Sequence, residues 1–126
     1  MKVAFATKDL QTVNDHFGWA KQFAIYDITK DGFKLDKVVT TEEEDPHEED
    51  DKISAKLALI EGSSIIYCQA IGANAAARVV KAQIHPVKIP EPEQIEVVLN
   101  KMIDMLKTNP PPWIRRIIAR EEGLVN

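Results

Sequence analysis

Short apolar runs alternate with amphipathic stretches along this chain, which is the pattern of an α/β domain. The apolar run at residues 2–7 predicts a buried first strand, and residues 8–21 predict a loop with one helical turn. Residues 22–29 alternate in polarity and predict a second strand. Asp31-Gly32 then predicts a type I′ hairpin turn into a third strand at residues 33–40.

The second half of the chain alternates helical and strand patterns. Ile53, Leu57 and Ile60 are spaced as the buried face of an amphipathic helix, and Gly62 ends it. The predicted elements here are, in order, a helix at 52–61, a strand at 64–69, a helix at 72–82, a strand at 85–89, a long helix at 93–107 and a terminal helix at 113–122.

This order predicts a three-layer α/β/α domain on a mixed sheet of five strands. An antiparallel hairpin forms one side of the sheet and two right-handed βαβ crossovers build the other. We expect residues 1–108 to form the domain and residues 109–126 to form a Pro-rich spacer and a C-terminal helix. That helix carries an apolar stripe, which favours packing on its own domain; docking on a partner protein is the alternative.

Length and composition support one globular domain. The chain has 126 residues, 44% of them hydrophobic, and no apolar run approaches the roughly 20 residues that cross a bilayer. The strand pattern begins directly at the N-terminus, so we expect a cytoplasmic protein that does not engage membranes. Cys68 is the single cysteine, which excludes an internal disulfide framework and a self-contained Cys₄ or Cys₂His₂ zinc site.

The negative charge of the chain is concentrated in one segment. Residues 42–51 hold 8 of the 20 acidic residues and no lysine or arginine, so the remainder carries 12 acidic and 16 basic residues. The rest of the chain is therefore mildly basic. The segment is interpreted as a solvated loop, with an electrostatic gate or a metal-attracting arm centred on His47 as the alternative.

Several function classes find no support in the sequence. The Gly-x-Ser-x-Gly elbow of α/β-hydrolases is absent, and the first strand carries no carboxylates for a two-metal nuclease. Aromatic residues make up only 6% of the chain and show no basic-aromatic face, so we do not expect nucleic-acid binding.

Two loops are expected to meet at one edge of the sheet, where doubly wound folds bind ligands. The first follows the first strand and carries Asn14 and His16. The second follows the strand at 64–69, begins near Cys68 and leads through Gly72 into a helix whose first turn holds Asn74. Gly72 permits a positive φ and close backbone approach, and the free amides of the helix N-terminus suit an anion.

Each candidate residue in these loops has a structural alternative. His16 is either a metal ligand or a histidine that hydrogen-bonds its own loop. Cys68 is a small buried hydrophobe, a thiolate ligand or an activated thiol. His85 is interpreted as structural, and Asp9 and Asp15 as residues that cap the loop.

Two segments carry a family resemblance. The run Val13-Asn14-Asp15-His16-Phe17-Gly18, followed by a strand at 23–27, resembles the dinitrogenase iron–molybdenum cofactor-binding domain family. A second signature of that family is similar to the strand and helix start at Ile66-Tyr67-Cys68-Gln69-Ala70-Ile71-Gly72-Ala73-Asn74-Ala75. The resemblance covers about residues 1–106, and residues 111–116 resemble the tail of one branch of the family.

The resemblance implies a ribonuclease H-like fold without nuclease function. It implies a non-enzymatic carrier of an iron–sulfur precursor or of the iron–molybdenum cofactor, working with nitrogenase assembly proteins or apo-dinitrogenase. The ligand histidine of the family maps onto His16, while Cys68 is a less secure second ligand. Thiolate and imidazole are apt ligands for iron, and a carrier needs few of them because its cluster must leave again.

Two other functions stay open. One is a protein-interaction module that chaperones apo-dinitrogenase or another assembly factor without binding a cluster, suggested by the Pro-rich spacer and Trp113. The other is an enzyme with Cys68 as nucleophile and His16 as its base, which lacks any nucleophile motif.

Overall fold

The computed structural model of this protein describes residues 1–41 and 49–123, without the side chains of residues 49–51. The expectations for His47 and for most of the acidic segment lie outside the described residues. The elements within them are β1 Lys2–Ala6, β2 Thr12–Val13, β3 Gln22–Thr29, β4 Gly32–Thr40, α1 Glu49–Leu59, β5 Ile65–Cys68, α2 Ala73–Lys81, β6 His85–Lys88, β7 Glu93–Gln94, α3 Ile95–Lys107 and α4 Pro112–Glu121.

The main sheet has five strands in the order β4-β3-β1-β5-β6. β1 pairs antiparallel with β3, and β3 pairs antiparallel with β4. On the other side β1 pairs parallel with β5, and β5 pairs parallel with β6. The mixed sheet with one antiparallel hairpin is therefore confirmed, whereas the ribonuclease H-like assignment stays a prediction.

Alternate residues of the central strands face two separate cores. Residues of β1, β3 and β5 that pack with α1 and α2 include Ala4, Ala6, Phe23, Ile25, Ile66 and Cys68. The opposite face packs with α3 and α4 through Val3, Phe5, Ala24, Ile28, Ile65 and Tyr67. Helices thus cover both faces of the sheet, as an apolar central strand requires.

The hairpin differs from its prediction in the position of the turn. Gly32 pairs with Thr29 as the first residue of β4, so the two-residue loop is Lys30-Asp31 rather than Asp31-Gly32. A type I′ turn needs a positive φ at both loop residues. Lys30 and Asp31 both have negative φ, which makes the predicted turn type wrong.

A small second sheet was not predicted. Thr12 and Val13 in the loop after β1 pair antiparallel with Gln94 and Glu93, directly before α3. Residues 93–94 are therefore strand rather than helix, and α3 begins at Ile95. This pairing connects the loop that carries the candidate histidine to the segment directly before α3.

The terminal helix α4 folds back on the domain. Ile114 and Ile117 are buried, and Ile117 joins the core formed with α3. The Ser64 hydroxyl donates a hydrogen bond to a Glu121 carboxylate oxygen at 2.6 Å. The apolar stripe is thus used within the chain. The domain boundary at residue 108 stays a prediction.

Candidate functional site

The loop after β1 is held by its own polar side chains. The buried Thr7 hydroxyl accepts a hydrogen bond from the Leu10 amide at 3.0 Å. The Asp9 carboxylate accepts the amides of Gln11 and Thr12 at 3.0 and 2.8 Å. These backbone hydrogen bonds lower the pKa of Asp9. The interpretation of Asp9 as a residue that caps the loop is confirmed.

Asn14 also organises this loop. Its side-chain oxygen accepts the amide of Lys8 at 2.8 Å, while Gln22 Nε2 donates to the Lys8 carbonyl at 3.0 Å. The backbone at Lys8 is therefore fixed from two sides. Contact between Asn14 and a cofactor stays a prediction.

The two loops meet, as expected from the parallel pairing of β1 and β5. His16 forms a parallel bridge with Ala70. The amide of Phe17 donates to the Ala70 carbonyl at 2.8 Å, and the amide of Gln69 donates to the Asp15 carbonyl at 2.9 Å. The half-buried His16 is thus anchored to the chain that leaves β5.

A single helical turn follows His16 and carries a tryptophan. The amides of Trp19 and Ala20 both donate to the His16 carbonyl, at 3.2 and 2.9 Å. The Trp19 ring stacks on the His16 imidazole with 4.2 Å between ring centroids and 16° between planes. Sequence reasoning missed Trp19, although its i, i+3 spacing from His16 in the predicted helical turn brings the two side chains together.

Trp19 lines an open cavity of about 540 Å³, whereas His16 is not among the residues that line it. Its lining is formed by Thr7, Lys8, Asp15, Trp19, Lys21 and Gln22. Lys8 and Lys21 are exposed and make the opening positive, although the buried Asp15 contributes a carboxylate. The two lysines were not identified from the sequence because no motif marks them.

A buried lysine on α1 donates a hydrogen bond to the helical turn that follows His16. Lys56 on α1 is only 4% exposed, and its Nζ donates to the Gly18 carbonyl at 2.9 Å. Lysine is almost never fully buried unless its ammonium group is paired. Lys56 therefore links α1 to the turn that holds His16 and Trp19, and the helix pattern of the sequence gave no indication of this contact.

Cys68 lies in the core beneath α1 and α2 and is 0% exposed. Burial raises the pKa of its thiol to about 11, while the charge of Lys88 and the Phe17 amide lower it. The thiol is protonated at neutral pH in this conformation. Cys68 does not line the cavity, and its role as a ligand stays a prediction.

Gly72 and Asn74 lie at the start of α2, outside the cavity lining. Gly72 has φ −70°, and a Cβ atom at this position would meet nothing within 4 Å. The expectation that Gly72 supplies a positive φ is wrong, since this backbone conformation is open to any residue. Asn74 is exposed. Contacts of both residues with a cofactor stay predictions.

No permanent metal centre is found in the part of the chain that the structure describes, since no three His, Cys, Asp or Glu side chains there form a metal-binding group. The Asp15 carboxylate lies next to His16 in the chain, accepts a hydrogen bond from the His16 amide at 2.9 Å and lines the cavity.

Comparison with known proteins places this site in a family. A family model described as "Dinitrogenase iron-molybdenum cofactor" matches residues 1–105. The chain belongs to this family. Both loops and the cavity lie inside the matched range. The sequence resemblance is thereby confirmed.

Several relatives that match nearly the whole of this chain are NifX proteins. A NifX protein of Sinorhizobium fredii is 41% identical over 126 residues, covering 95% of this chain and 79% of the relative. A NifX protein of Herbaspirillum seropedicae is 40% identical, covering 100% of this chain and 88% of the relative. The crystal structure of PH0822 has a TM-score of 0.62 at 25% identity and covers 82% of this chain and 89% of that one.

No helix in the described ranges 1–41 and 49–123 combines the length and apolar character needed to cross a membrane.

Proposed function

We propose that this chain is a non-enzymatic carrier that transiently binds an iron–sulfur precursor or the iron–molybdenum cofactor during nitrogenase cofactor biosynthesis. The observation that carries the proposal is the anchored His16, which stacks on Trp19, and Trp19 lines an open cavity flanked by two lysines. The family description, which names the iron-molybdenum cofactor, supports this cargo.

His16 is the proposed ligand to the cargo. Imidazole is a common ligand of iron, and the bridge to Ala70 fixes the histidine backbone. Stacking on Trp19 restricts the plane of the ring. A ligand held in advance loses less conformational entropy when the cluster binds.

The charge of the site also suits this cargo. An iron–sulfur cluster carries negative charge, and the cavity presents the exposed side chains of Lys8 and Lys21. The start of α2 has no acidic residue in its first turn, so its free amides are available to an anion near Gly72 and Asn74. We include these two residues and Asn14 in the proposed binding surface.

Transient binding follows from the small number of ligands. One imidazole forms one bond to the cluster, so the cargo can pass to a nitrogenase assembly protein or to apo-dinitrogenase. Cys68 becomes a second ligand only if its thiol, which is buried beneath α1 and α2, becomes accessible. Its protonated state also argues against the enzyme hypothesis, which needs a thiolate nucleophile.

The proposal is tested by anaerobic titration with isolated iron–molybdenum cofactor and, separately, with a [4Fe–4S] cluster. We expect a coloured complex with one cluster per chain, and a loss of affinity of at least tenfold in His16→Ala. His85→Ala is the matched control because His85 also stacks on a tryptophan, at 4.4 Å, away from the cavity. Equal affinities of the wild type and His16→Ala would refute His16 as the ligand.

Two further measurements test which cluster is the cargo and whether Cys68 is a second ligand. Preference for one of the two clusters identifies the cargo, and absence of binding to either removes the carrier function. Cys68→Ala in the His16→Ala background tests the second ligand. An additional loss of affinity supports it, and unchanged affinity excludes it.

A further inference from the structure

A second cleft lies between α4 and the turn that connects α2 to β6, and it shares no lining residue with the cavity at Trp19. Its volume is about 190 Å³. Its lining includes the apolar or aromatic side chains of Val80, Ile84, Trp113 and Ile117, together with Arg116 and Arg120. The cleft thus combines an apolar wall with two positive charges.

The aromatic wall of this cleft is formed by a stacked pair of rings. Trp113 stacks on His85 with 4.4 Å between ring centroids and 14° between planes. The neighbouring Ile117 is buried in the core and fixes α4 against the domain. Burial lowers the pKa of His85, so at neutral pH the histidine contributes a neutral ring rather than a third charge.

The two arginines have no carboxylate partner among the described side chains of residues 1–41 and 52–123. Arg116 and Arg120 are four residues apart on α4, a spacing at which like charges repel each other. Arg120 makes only a 3.5 Å contact with the Gln83 carbonyl. The nearby Glu121 carboxylate accepts the Ser64 hydroxyl instead. A carboxylate from outside the described chain would relieve this repulsion.

We propose that this cleft, lined by Trp113, Arg116 and Arg120, is a docking site for an acidic segment of a partner protein. One carboxylate of the segment pairs with the two guanidinium groups, and a neighbouring apolar side chain enters the cleft against Trp113. Arginine is suited to bidentate pairing with carboxylates, and Trp and Arg are enriched at the energetic centres of protein interfaces.

The position of the cleft in the chain supports a role separate from cargo binding. The family match ends at residue 105, before α4 begins at Pro112. The alignments with NifX proteins cover 95% and 100% of this chain and so extend into α4. The α4 side of the cleft, with Trp113, Arg116 and Arg120, therefore lies outside the matched range, while the opposite wall with Val80 and Ile84 lies within it. The apolar stripe of α4 is buried, so docking uses the basic side of the helix.

The test uses the full chain and a fluorescein-labelled peptide, Glu-Glu-Leu-Glu-Glu-Leu-Glu-Glu, with binding followed by fluorescence anisotropy at low salt. A peptide with glutamine in place of every glutamate is the charge control. We expect the acidic peptide to bind, and its affinity to fall at least tenfold in the Arg116→Gln/Arg120→Gln double variant. Thermal unfolding of each variant confirms that it folds.

Arg115→Gln is the matched control variant. Arg115 lies on the same helix, and its Nε donates to the Pro110 carbonyl at 2.9 Å rather than lining the cleft. We expect Arg115→Gln to change the affinity less than twofold. In a Trp19→Phe background Trp113 is the only tryptophan, and its emission should change when the acidic peptide binds.

Three results would overturn the proposal. The first is no binding of the acidic peptide by the wild-type chain. The second is equal weakening by Arg115→Gln, which would indicate a general charge effect. The third is tighter binding of a single-stranded thymidine octanucleotide, which would indicate a nucleic-acid surface. None of these results bears on cluster binding at His16, so the two proposals fail independently.

Discussion

The indole ring of Trp19 lies flat on the imidazole ring of His16, at 4.2 Å between centroids, although Trp19 is 72% exposed. The stack covers a face of the imidazole and leaves the ring edge, where the two nitrogens lie, available to a ligand. Little burial in the core holds Trp19 in place. We therefore infer that the main role of Trp19 is to orient the His16 imidazole rather than to stabilise the fold.

Trp19→Ala should weaken cluster binding and cost little stability. An aromatic pair contributes about 0.5–1.5 kcal/mol to the folded state beyond burial, so the free energy of unfolding should fall by no more than this amount. The imidazole that loses its stacking partner must be ordered when the cluster binds, so we expect a severalfold loss of affinity. The measurements are cluster titration and urea unfolding. Trp19→Phe keeps a stacking ring and should recover most of the affinity. If Trp19→Ala binds the cluster as tightly as the wild type, Trp19 does not position His16.

The main sheet could be predicted because its strands follow local apolar patterns. The hydrophobic run through Ile65 and Ile66 indicated a central parallel strand, and the alternation at residues 22–29 indicated one strand of the hairpin. The pairing of β2 with β7 could not be predicted. Each of these strands has two residues, and Thr12 pairs with Gln94 far along the chain, so no local periodicity marks them.

Lys56→Met should loosen the turn that carries His16. The change removes a buried ammonium group that donates to the Gly18 carbonyl at 2.9 Å, and we expect a loss of about 1–2 kcal/mol in the free energy of unfolding. Hydrogen exchange at the Trp19 and Ala20 amides, which donate to the His16 carbonyl, should become faster. Lys107→Met replaces an exposed lysine on α3 and should leave both measurements unchanged.

Unchanged amide exchange in Lys56→Met would show that the turn is held by the bridge to Ala70 alone.

Cys68 should react slowly with iodoacetamide in the folded protein. Burial raises the pKa of the thiol to about 11, so its thiolate fraction at pH 7.5 is about two orders of magnitude below that of a free cysteine. We expect alkylation to be slower by at least this factor than in the urea-unfolded chain. Rapid alkylation of the folded protein would instead support the hypothesis of a nucleophilic Cys68.

The same pKa shift makes stability depend on pH in the alkaline range. The folded state favours the protonated thiol, so its contribution is fully present below the unfolded pKa near 9 and is lost as pH rises toward 11. Urea unfolding between pH 8 and 11 should show a shallower decline in Cys68→Ala than in the wild type. Parallel declines would contradict the shift.

The candidate site could be predicted only in part. The meeting of the two loops follows from the parallel pairing of β1 and β5, which the apolar runs indicate. Lys8 and Lys21 could not be identified because exposed lysines occur throughout the chain, and only the folded backbone shows which of them flank the cavity. The burial of Lys56 depends on the position of the Gly18 carbonyl, which the sequence does not specify.

Gly72→Ala separates a structural role of this glycine from a role in binding. Gly72 has φ −70° and a Cβ atom there would meet nothing within 4 Å, so alanine should cost only what a poorer N-cap of α2 costs, about 0.5–1 kcal/mol in the free energy of unfolding. If the cargo approaches the start of α2 closely, the added methyl group should reduce cluster affinity several-fold.

Gly62→Ala is the control for strain. Gly62 has φ +88°, so alanine there should cost about 1 kcal/mol of stability without lowering the affinity of the folded protein. A stable Gly72→Ala protein with full cluster affinity would remove Gly72 from the proposed binding surface and leave the cargo to His16 and the lysines of the cavity.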